Sequence, residues 1–131
     1  MGVPVTLIYA GLHGLLLVAL SIQVLRYRVR ADVKGPEVAQ RMERVQANFA
    51  EYVPMALLLQ ALNELAGSPP AALHLLGCLL FLSRLVHAYG LGYLGSRNYP
   101  RTLGALGTFV VIATLSFGAL LQGYARLRAG Y

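Results

Sequence analysis

Three polar side chains at helical spacing stand where the chain becomes strongly apolar. Arg44, Asn48 and Glu51 occupy positions i, i+4 and i+7, so one face of a helix carries all three. Residues 55–59 read MALLL, a composition suited to a lipid bilayer. A guanidinium, an amide and a carboxylate are costly in a membrane unless they face protein or a wet cavity. This face is therefore the predicted functional site.

The elements that must position this face are apolar helices. Hydrophobic residues make up 57% of the 131 residues, charged residues 12%, and the mean hydropathy is +0.61. Four apolar segments, about 4–25, 47–66, 71–93 and 102–124, have the ~20 residues that a helix needs to cross a bilayer. Short connections favour antiparallel neighbours. We expect an all-α integral membrane protein, one domain over residues 1–131, with four transmembrane helices in an up-down bundle.

Proline, glycine and asparagine mark where these helices begin and end. They place the complete helices at about 4–25, 37–66, 70–93 and 100–124. Asn98 or Tyr99 is expected to cap the last one. Small residues along that helix, Gly104 and Gly107 among them, predict a close approach to a neighbouring helix.

The positive charges indicate an orientation. Six Lys or Arg residues fall in the segment 26–44 and two in the segment 94–101, whereas segment 63–70 has none. The positive-inside rule puts both basic segments in the cytoplasm and both termini outside. The net charge of +6 is thus a topology signal, and its position beside apolar helices argues against nucleic-acid binding.

Other chemistries find little support. The single cysteine, Cys78, rules out an intrachain disulfide and is expected to serve in packing. His13 and His74 stand alone in apolar segments, and no spacing of ligand residues suits a metal. Asp32 is the only aspartate and lies in the basic segment, so a Ser-His-Asp triad is not indicated.

Helix three carries its own polar pair, three residues apart and therefore on one face. Arg84 and His87 favour a structural role, with Arg84 expected to pair with an acid or a carbonyl inside the bundle.

The segment 44–54 resembles the signature of the membrane-associated proteins in eicosanoid and glutathione metabolism (MAPEG): Arg44-x-Gln46-x-Asn48-x-x-Glu51-Tyr52-x-Pro54. The stretches ELAG (64–67), SRLVHAYG (83–90) and Arg101-x-x-Gly104 follow in order and at family spacing, so the resemblance covers nearly the whole chain. It is closest to small bacterial members. It implies a homotrimer, in the bacterial inner membrane, that binds glutathione at subunit interfaces near the cytoplasmic face.

The resemblance also implies which residues contact glutathione, namely Arg28, Arg44, Gln46, Asn48, Glu51, Tyr52, Tyr89 and Tyr93. Arg44 suits a carboxylate of this anionic tripeptide, Glu51 suits its ammonium, and Asn48 and Gln46 suit its amides. An Arg44–Glu51 ion pair that only fixes trimer packing is the alternative. Glutathione is the expected co-substrate, and no metal is expected.

Arg101 is the expected catalytic residue. Glutathione reacts as its thiolate, and Arg101 follows Pro100 at the start of the last helix, where the helix dipole also favours an anion. The resemblance matches Arg101 to the arginine that activates the thiol, with Arg97 as a competitor. Anchoring of the helix to a lipid phosphate is the other reading of Arg101.

The sequence is compatible with two functions. Eicosanoid-forming relatives place tyrosines at the end of helix three, where this chain has His87, Tyr89 and Tyr93, with Leu91 at one expected tyrosine. The resemblance thus favours a detoxifying glutathione transferase or peroxidase that acts on hydrophobic electrophiles or hydroperoxides arriving from the membrane lipids. The alternative is a non-catalytic member that serves as a binding or assembly subunit.

Overall fold

The chain is entirely helical in the computed structural model, which describes residues 2–130. Its helices are α1 (Pro4–Val29), α2 (Ala31–Lys34), α3 (Pro36–Leu65), α4 (Pro70–Tyr93) and α5 (Tyr99–Arg128). The sequence pattern predicts four helices, whereas the described chain has five, because a single helical turn, α2, forms within the basic segment. Helices α1 and α5 each continue four residues beyond the expected end. Their last turns carry arginines, and the helix dipole stabilises cations at a helix C-terminus.

The helix boundaries follow from local chemistry. Pro4, Pro36 and Pro70 each stand at the first helical position, where the missing N–H costs no hydrogen bond. Asn98 caps α5, since its Oδ1 accepts a hydrogen bond from the Arg101 N–H at 2.9 Å. Gly67 ends the turn after α3 with φ of 91°, a left-handed conformation that favours glycine.

Three helices, α1, α4 and α5, are long and apolar enough to cross a membrane. Helix α3 is as long as α5 but does not qualify among the described residues, because polar side chains interrupt its apolar part. Of the four expected spans, composition thus supports three, and α3 is a long helix of mixed character.

Helix α3 lies at the centre and contacts α1, α4 and α5. Its apolar face enters two clusters of buried side chains: Val5, Ala56, Leu73, Leu80, Val111 and Leu115 in one, and Leu20, Val45, Phe49, Val53 and Leu91 in the other. Burial of this stripe turns the opposite face of α3 outward. That outward face carries Arg44 and Glu51.

Helices α4 and α5 approach closely through glycines. A Cβ atom on Gly104 of α5 would lie 2.5 Å from the His87 Cβ atom of α4, far inside van der Waals contact. Gly90 of α4 packs in the same way against the start of α5, and its carbonyl accepts a hydrogen bond from Asn98 Nδ2 at 2.9 Å. This packing confirms the expected close approach at Gly104 and sets Arg101 beside the end of α4.

Polar contacts tie the other end of the bundle. Glu64 accepts hydrogen bonds from the N–H groups of Val5 and Thr6, both at 2.8 Å, and so caps the N-terminus of α1. Asn63 donates to the Leu115 carbonyl at 2.9 Å and accepts from Gln122 at 2.8 Å. These hydrogen bonds connect α3 to both α1 and α5 at the end of the bundle opposite the basic loops.

Candidate functional site

A polar pocket of about 200 Å³ lies at the basic end of the bundle, between α3, α4 and α5. It is lined by Arg44, Ala47, Asn48, Glu51, His87, Leu91 and Arg101. The structure therefore places the helical face predicted from the sequence, Arg44, Asn48 and Glu51, together with the distant Arg101. We refer to these seven residues as the polar pocket.

Helical periodicity explains the α3 side of the pocket. Val45, Phe49 and Val53 are buried in the core, 2–3% exposed, and they fix the rotation of α3. Arg44 and Glu51 then point away from the core on exposed positions. The seven-residue spacing between these two charges separates them by about two turns, so a ligand lying along α3 can reach both.

Arg101 reaches the pocket from the first turn of α5. The Asn98 cap fixes its backbone, and the Gly90 and Gly104 contacts fix α5 against α4. Arg97 instead lines a separate, outward cavity of about 620 Å³ with Asn98, Tyr99, Pro100 and Thr102. Of the two arginines weighed for thiol activation, the structure brings only Arg101 to the polar pocket.

The two charges of α3 are not paired with each other in the described chain. Across residues 2–130 the one side-chain ion pair joins Arg28 to Glu43, at 2.7 Å. An Arg44–Glu51 bridge, the alternative reading from the sequence, is absent from this part of the chain. Arg44, Glu51 and Arg101 thus keep their charges available to a ligand, with two cations for one carboxylate.

A buried guanidinium orients the amide in the pocket. Arg84 is only 2% exposed, and its Nη2 donates to Asn48 Oδ1 at 2.7 Å, while Nη1 lies 3.4 Å from the Thr108 hydroxyl. The expected partner of Arg84 was an acid or a carbonyl, and the structure provides the side-chain carbonyl of Asn48. Because that oxygen is occupied, Asn48 offers its NH₂ group to the pocket.

Five residues expected in the site lie outside the polar pocket, namely Arg28, Gln46, Tyr52, Tyr89 and Tyr93. Arg28 is paired with Glu43, and Gln46 donates to the Ser21 hydroxyl at 2.7 Å. Tyr89 and Tyr93 lie with their ring centroids 5.9 Å apart at the end of α4, and Tyr93 Oη accepts a hydrogen bond from Gln23 of α1.

Tyr52 belongs to an apolar groove that adjoins the pocket. Its ring packs edge-on against Phe109, with centroids 5.4 Å apart. The groove has a volume of about 440 Å³, and its lining is Glu51, Tyr52, Met55, Phe109, Ile112 and Ala113. Since Glu51 lines both cavities, a polar ligand in the pocket and an apolar one in the groove would be neighbours.

Three lining residues of the polar pocket were not predicted from the sequence, namely Ala47 of α3 and the α4 pair His87 and Leu91. The i, i+4 spacing of this α4 pair was a usable signal, because it places both side chains on one face. No group of three His, Cys, Asp or Glu side chains within residues 2–130 is arranged to hold a metal ion.

Comparison with known proteins agrees with this architecture. The family profile described as MAPEG family matches residues 6–121. The chain is similar to the inner membrane protein YecN of Escherichia coli K12, with 36% identity over 90 residues, which is 66% of this chain and 69% of YecN. The YecN protein of Escherichia coli O6:H1 matches with the same identity and extent.

Proposed function

Because the chain belongs to the MAPEG family, we propose that it is a membrane-embedded glutathione transferase or peroxidase that acts on lipophilic electrophiles or hydroperoxides. The observation that carries the proposal is the polar pocket, in which Arg44, Asn48 and Glu51 meet Arg101. Its charges complement an anionic tripeptide with one ammonium group.

Four side chains of the polar pocket suit different groups of glutathione. Arg44 suits a carboxylate, since a guanidinium forms two parallel hydrogen bonds with its oxygens. Glu51 suits the ammonium group, and the Asn48 NH₂ group, oriented by Arg84, suits a peptide carbonyl. Arg101 remains for the thiol.

The proposed chemistry needs a thiolate next to an apolar substrate. A cation lowers the pKa of a thiol, and Arg101 at the N-terminus of α5 adds the helix dipole to its own charge. The thiol proton leaves to solvent. In conjugation, the sulfur electron pair forms an S–C bond as the electrophile releases its leaving group. In peroxide reduction, the sulfur electron pair forms an S–O bond as the O–O bond breaks, and the leaving alkoxide takes a proton and departs as the alcohol. A second glutathione then reduces the sulfenic acid, which forms the disulfide and releases water.

The second substrate would enter from the membrane through the apolar groove. This groove is walled by Tyr52, Phe109 and Ile112 and opens on the outer surface of the chain beside Glu51. A lipophilic molecule concentrated in the bilayer thus reaches the thiolate without crossing water.

We further propose that the site is completed in a homotrimer. A pocket of about 200 Å³ is smaller than the roughly 300–1,000 Å³ typical of small-molecule sites, so one chain supplies only part of the enclosure. Arg28 and Gln46 lie outside the pocket of their own chain and would complete that of a neighbour. In this assembly α3 is the fourth span, with the termini outside the bacterial inner membrane.

Turnover of model substrates tests the proposal. Purified protein should conjugate glutathione to 1-chloro-2,4-dinitrobenzene, or reduce cumene hydroperoxide, and Glu51→Gln should lose that activity at low glutathione. Glutathione binding without turnover of either substrate would instead support the non-catalytic binding or assembly subunit. A monodisperse monomer in mild detergent would contradict the trimer.

A further inference from the structure

A second polar cavity lies at the same end of the bundle and shares no residue with the polar pocket. Its volume is about 340 Å³, and its lining is Gln23, Arg26, Tyr27, Arg30, Lys34 and Tyr93. Helix α1 supplies one wall, α2 supplies Lys34, and the end of α4 supplies Tyr93. We call it the basic cleft.

The three cations of the basic cleft have no acidic partner in the part of the chain that the structure describes. The sole ion pair within residues 2–130 joins Arg28 and Glu43. Lys34 instead lies 5.2 Å above the Tyr27 ring. Asp32, on α2, is exposed and does not line the cleft. Converging like charges repel one another, so an anion in the cleft would relieve that repulsion.

Hydrogen-bonding groups complete the cleft. Gln23 Nε2 donates to Tyr93 Oη, which links α1 to α4 and leaves the Tyr93 hydroxyl hydrogen free to donate. The basic cleft therefore offers guanidinium, ammonium and hydroxyl donors around one cavity. These are the donors that a phosphate group prefers.

An apolar stripe continues from the cleft along α1. Leu12, Leu15, Ala19 and Ile22 follow at spacings of three and four residues and end one turn before Arg26, so they share its face. The leucines are 38% and 72% exposed and Ile22 is 51% exposed. If α1 spans the membrane, this stripe lies at the depth of the lipid acyl chains.

We propose that the basic cleft binds the phosphodiester headgroup of an anionic lipid, with an acyl chain lying along the apolar stripe of α1. Arg26, Arg30 and Lys34 hold the phosphate, and Tyr93 donates to one of its oxygens. The basic cleft and the polar pocket share no lining residue, and Tyr93, expected from the sequence to contact glutathione, lines the cleft instead. The cations lie at the basic end of the bundle, where anionic lipids concentrate around juxtamembrane Lys and Arg.

A tryptophan reporter tests this site, because the chain contains no tryptophan of its own. Ile22→Trp places the reporter one turn below Arg26 at a half-exposed position. The full-length protein is reconstituted in phosphatidylcholine vesicles, and quenching by brominated phosphatidylglycerol is compared with quenching by brominated phosphatidylcholine. Phosphatidylglycerol should bind beside the reporter at least tenfold more tightly.

Two double variants that each remove two arginines are compared for their lipid preference. Arg26→Gln with Arg30→Gln should lower the phosphatidylglycerol preference by roughly ten- to thirtyfold, since two surface cations are lost. Arg126→Gln with Arg128→Gln also removes two arginines from the end of a membrane helix and should leave the preference unchanged. Glutathione affinity should be the same in the parent and both double variants.

Three results would overturn the proposal. The first is equal quenching by both lipids in the parent protein. The second is loss of the preference on adding inorganic phosphate at constant ionic strength, which would assign the cleft to a free anion. The third is loss of glutathione binding in Arg26→Gln with Arg30→Gln, which would assign the cleft to the tripeptide. Failure of the parent to bind glutathione would contradict the proposed function and leave the lipid site standing.

Discussion

The Arg84 Nη2 atom lies 2.7 Å from the Asn48 Oδ1 atom, so a fully buried guanidinium holds the amide that faces the polar pocket. The Arg84 guanidinium carbon also lies 5.9 Å from the centroid of the Phe49 ring. A single contact thereby connects the packing of α3 against α4 to the ligand chemistry of the site. It turns the Asn48 amide oxygen toward Arg84 and leaves the NH₂ group to donate to the pocket.

This contact predicts an unusual behaviour for Asn48→Asp. A carboxylate still accepts from Arg84, and it gives that buried cation a counter-charge, so the melting temperature should not fall. The NH₂ donor is lost, however, and glutathione affinity should drop roughly tenfold or more. Asn48→Ala is the control, since it loses the acceptor as well and should lower both melting temperature and affinity. Parental affinity in Asn48→Asp would show that the amide does not donate to the ligand.

Alanine substitutions of Arg101 and Arg97 are predicted to have different effects on the thiol pKa and on turnover. Arg101→Ala should raise the pKa of the bound glutathione thiol and lower turnover, with a smaller loss of binding, because it removes the cation proposed to stabilise the thiolate. Arg97→Ala should change neither, since Arg97 lines a different cavity. Ultraviolet absorbance of the thiolate, titrated against pH, measures this directly. The reverse pattern in the two variants would pass the activating role to Arg97.

The crossing of α4 and α5 is predicted to depend on Gly104. Gly104→Ala sets a Cβ atom 2.5 Å from His87 Cβ, so the helices must separate, at about 1–3 kcal/mol of stability. Gly123→Ala is the matched control on the same helix, because its Cβ meets nothing within 4 Å. Thermal unfolding in detergent should show a lower melting temperature for Gly104→Ala alone. Equal melting temperatures would contradict the close packing.

The orientation proposed for the chain is tested by labelling. An engineered Lys34→Cys should be protected from membrane-impermeant thiol reagents in intact cells and react after the cells are opened. The background is Cys78→Ser, so that the engineered cysteine is the single thiol of the chain. Ready labelling of Lys34→Cys in intact cells would reverse the orientation.

Local patterns were sufficient to predict part of this site. The spacing of Arg44, Asn48 and Glu51 follows from the 3.6-residue helical period, and Asn98 was recognisable as a cap. Short-range signals also gave the close approach at Gly104. These features depend on residues within one or two turns of each other.

The other features of the site depend on tertiary packing and could not be predicted from the sequence. Gly90 and Gly104 set the α4–α5 crossing, and only that crossing brings Arg101 to α3. Tyr93 shares helix α4 with His87 but faces α1 and the basic cleft, which a motif match does not reveal. Helix α2 is one turn long, too short to show a hydrophobic period.

The central claim is that Glu51 receives the ammonium group of glutathione in the polar pocket. Isothermal titration of the detergent-purified protein with glutathione should show binding. Glu51→Gln, which keeps the shape but removes the charge, should weaken it by about ten- to hundredfold, the equivalent of roughly 1.5–3 kcal/mol. A correctly folded Glu51→Gln protein that binds glutathione as tightly as the parent would contradict the account.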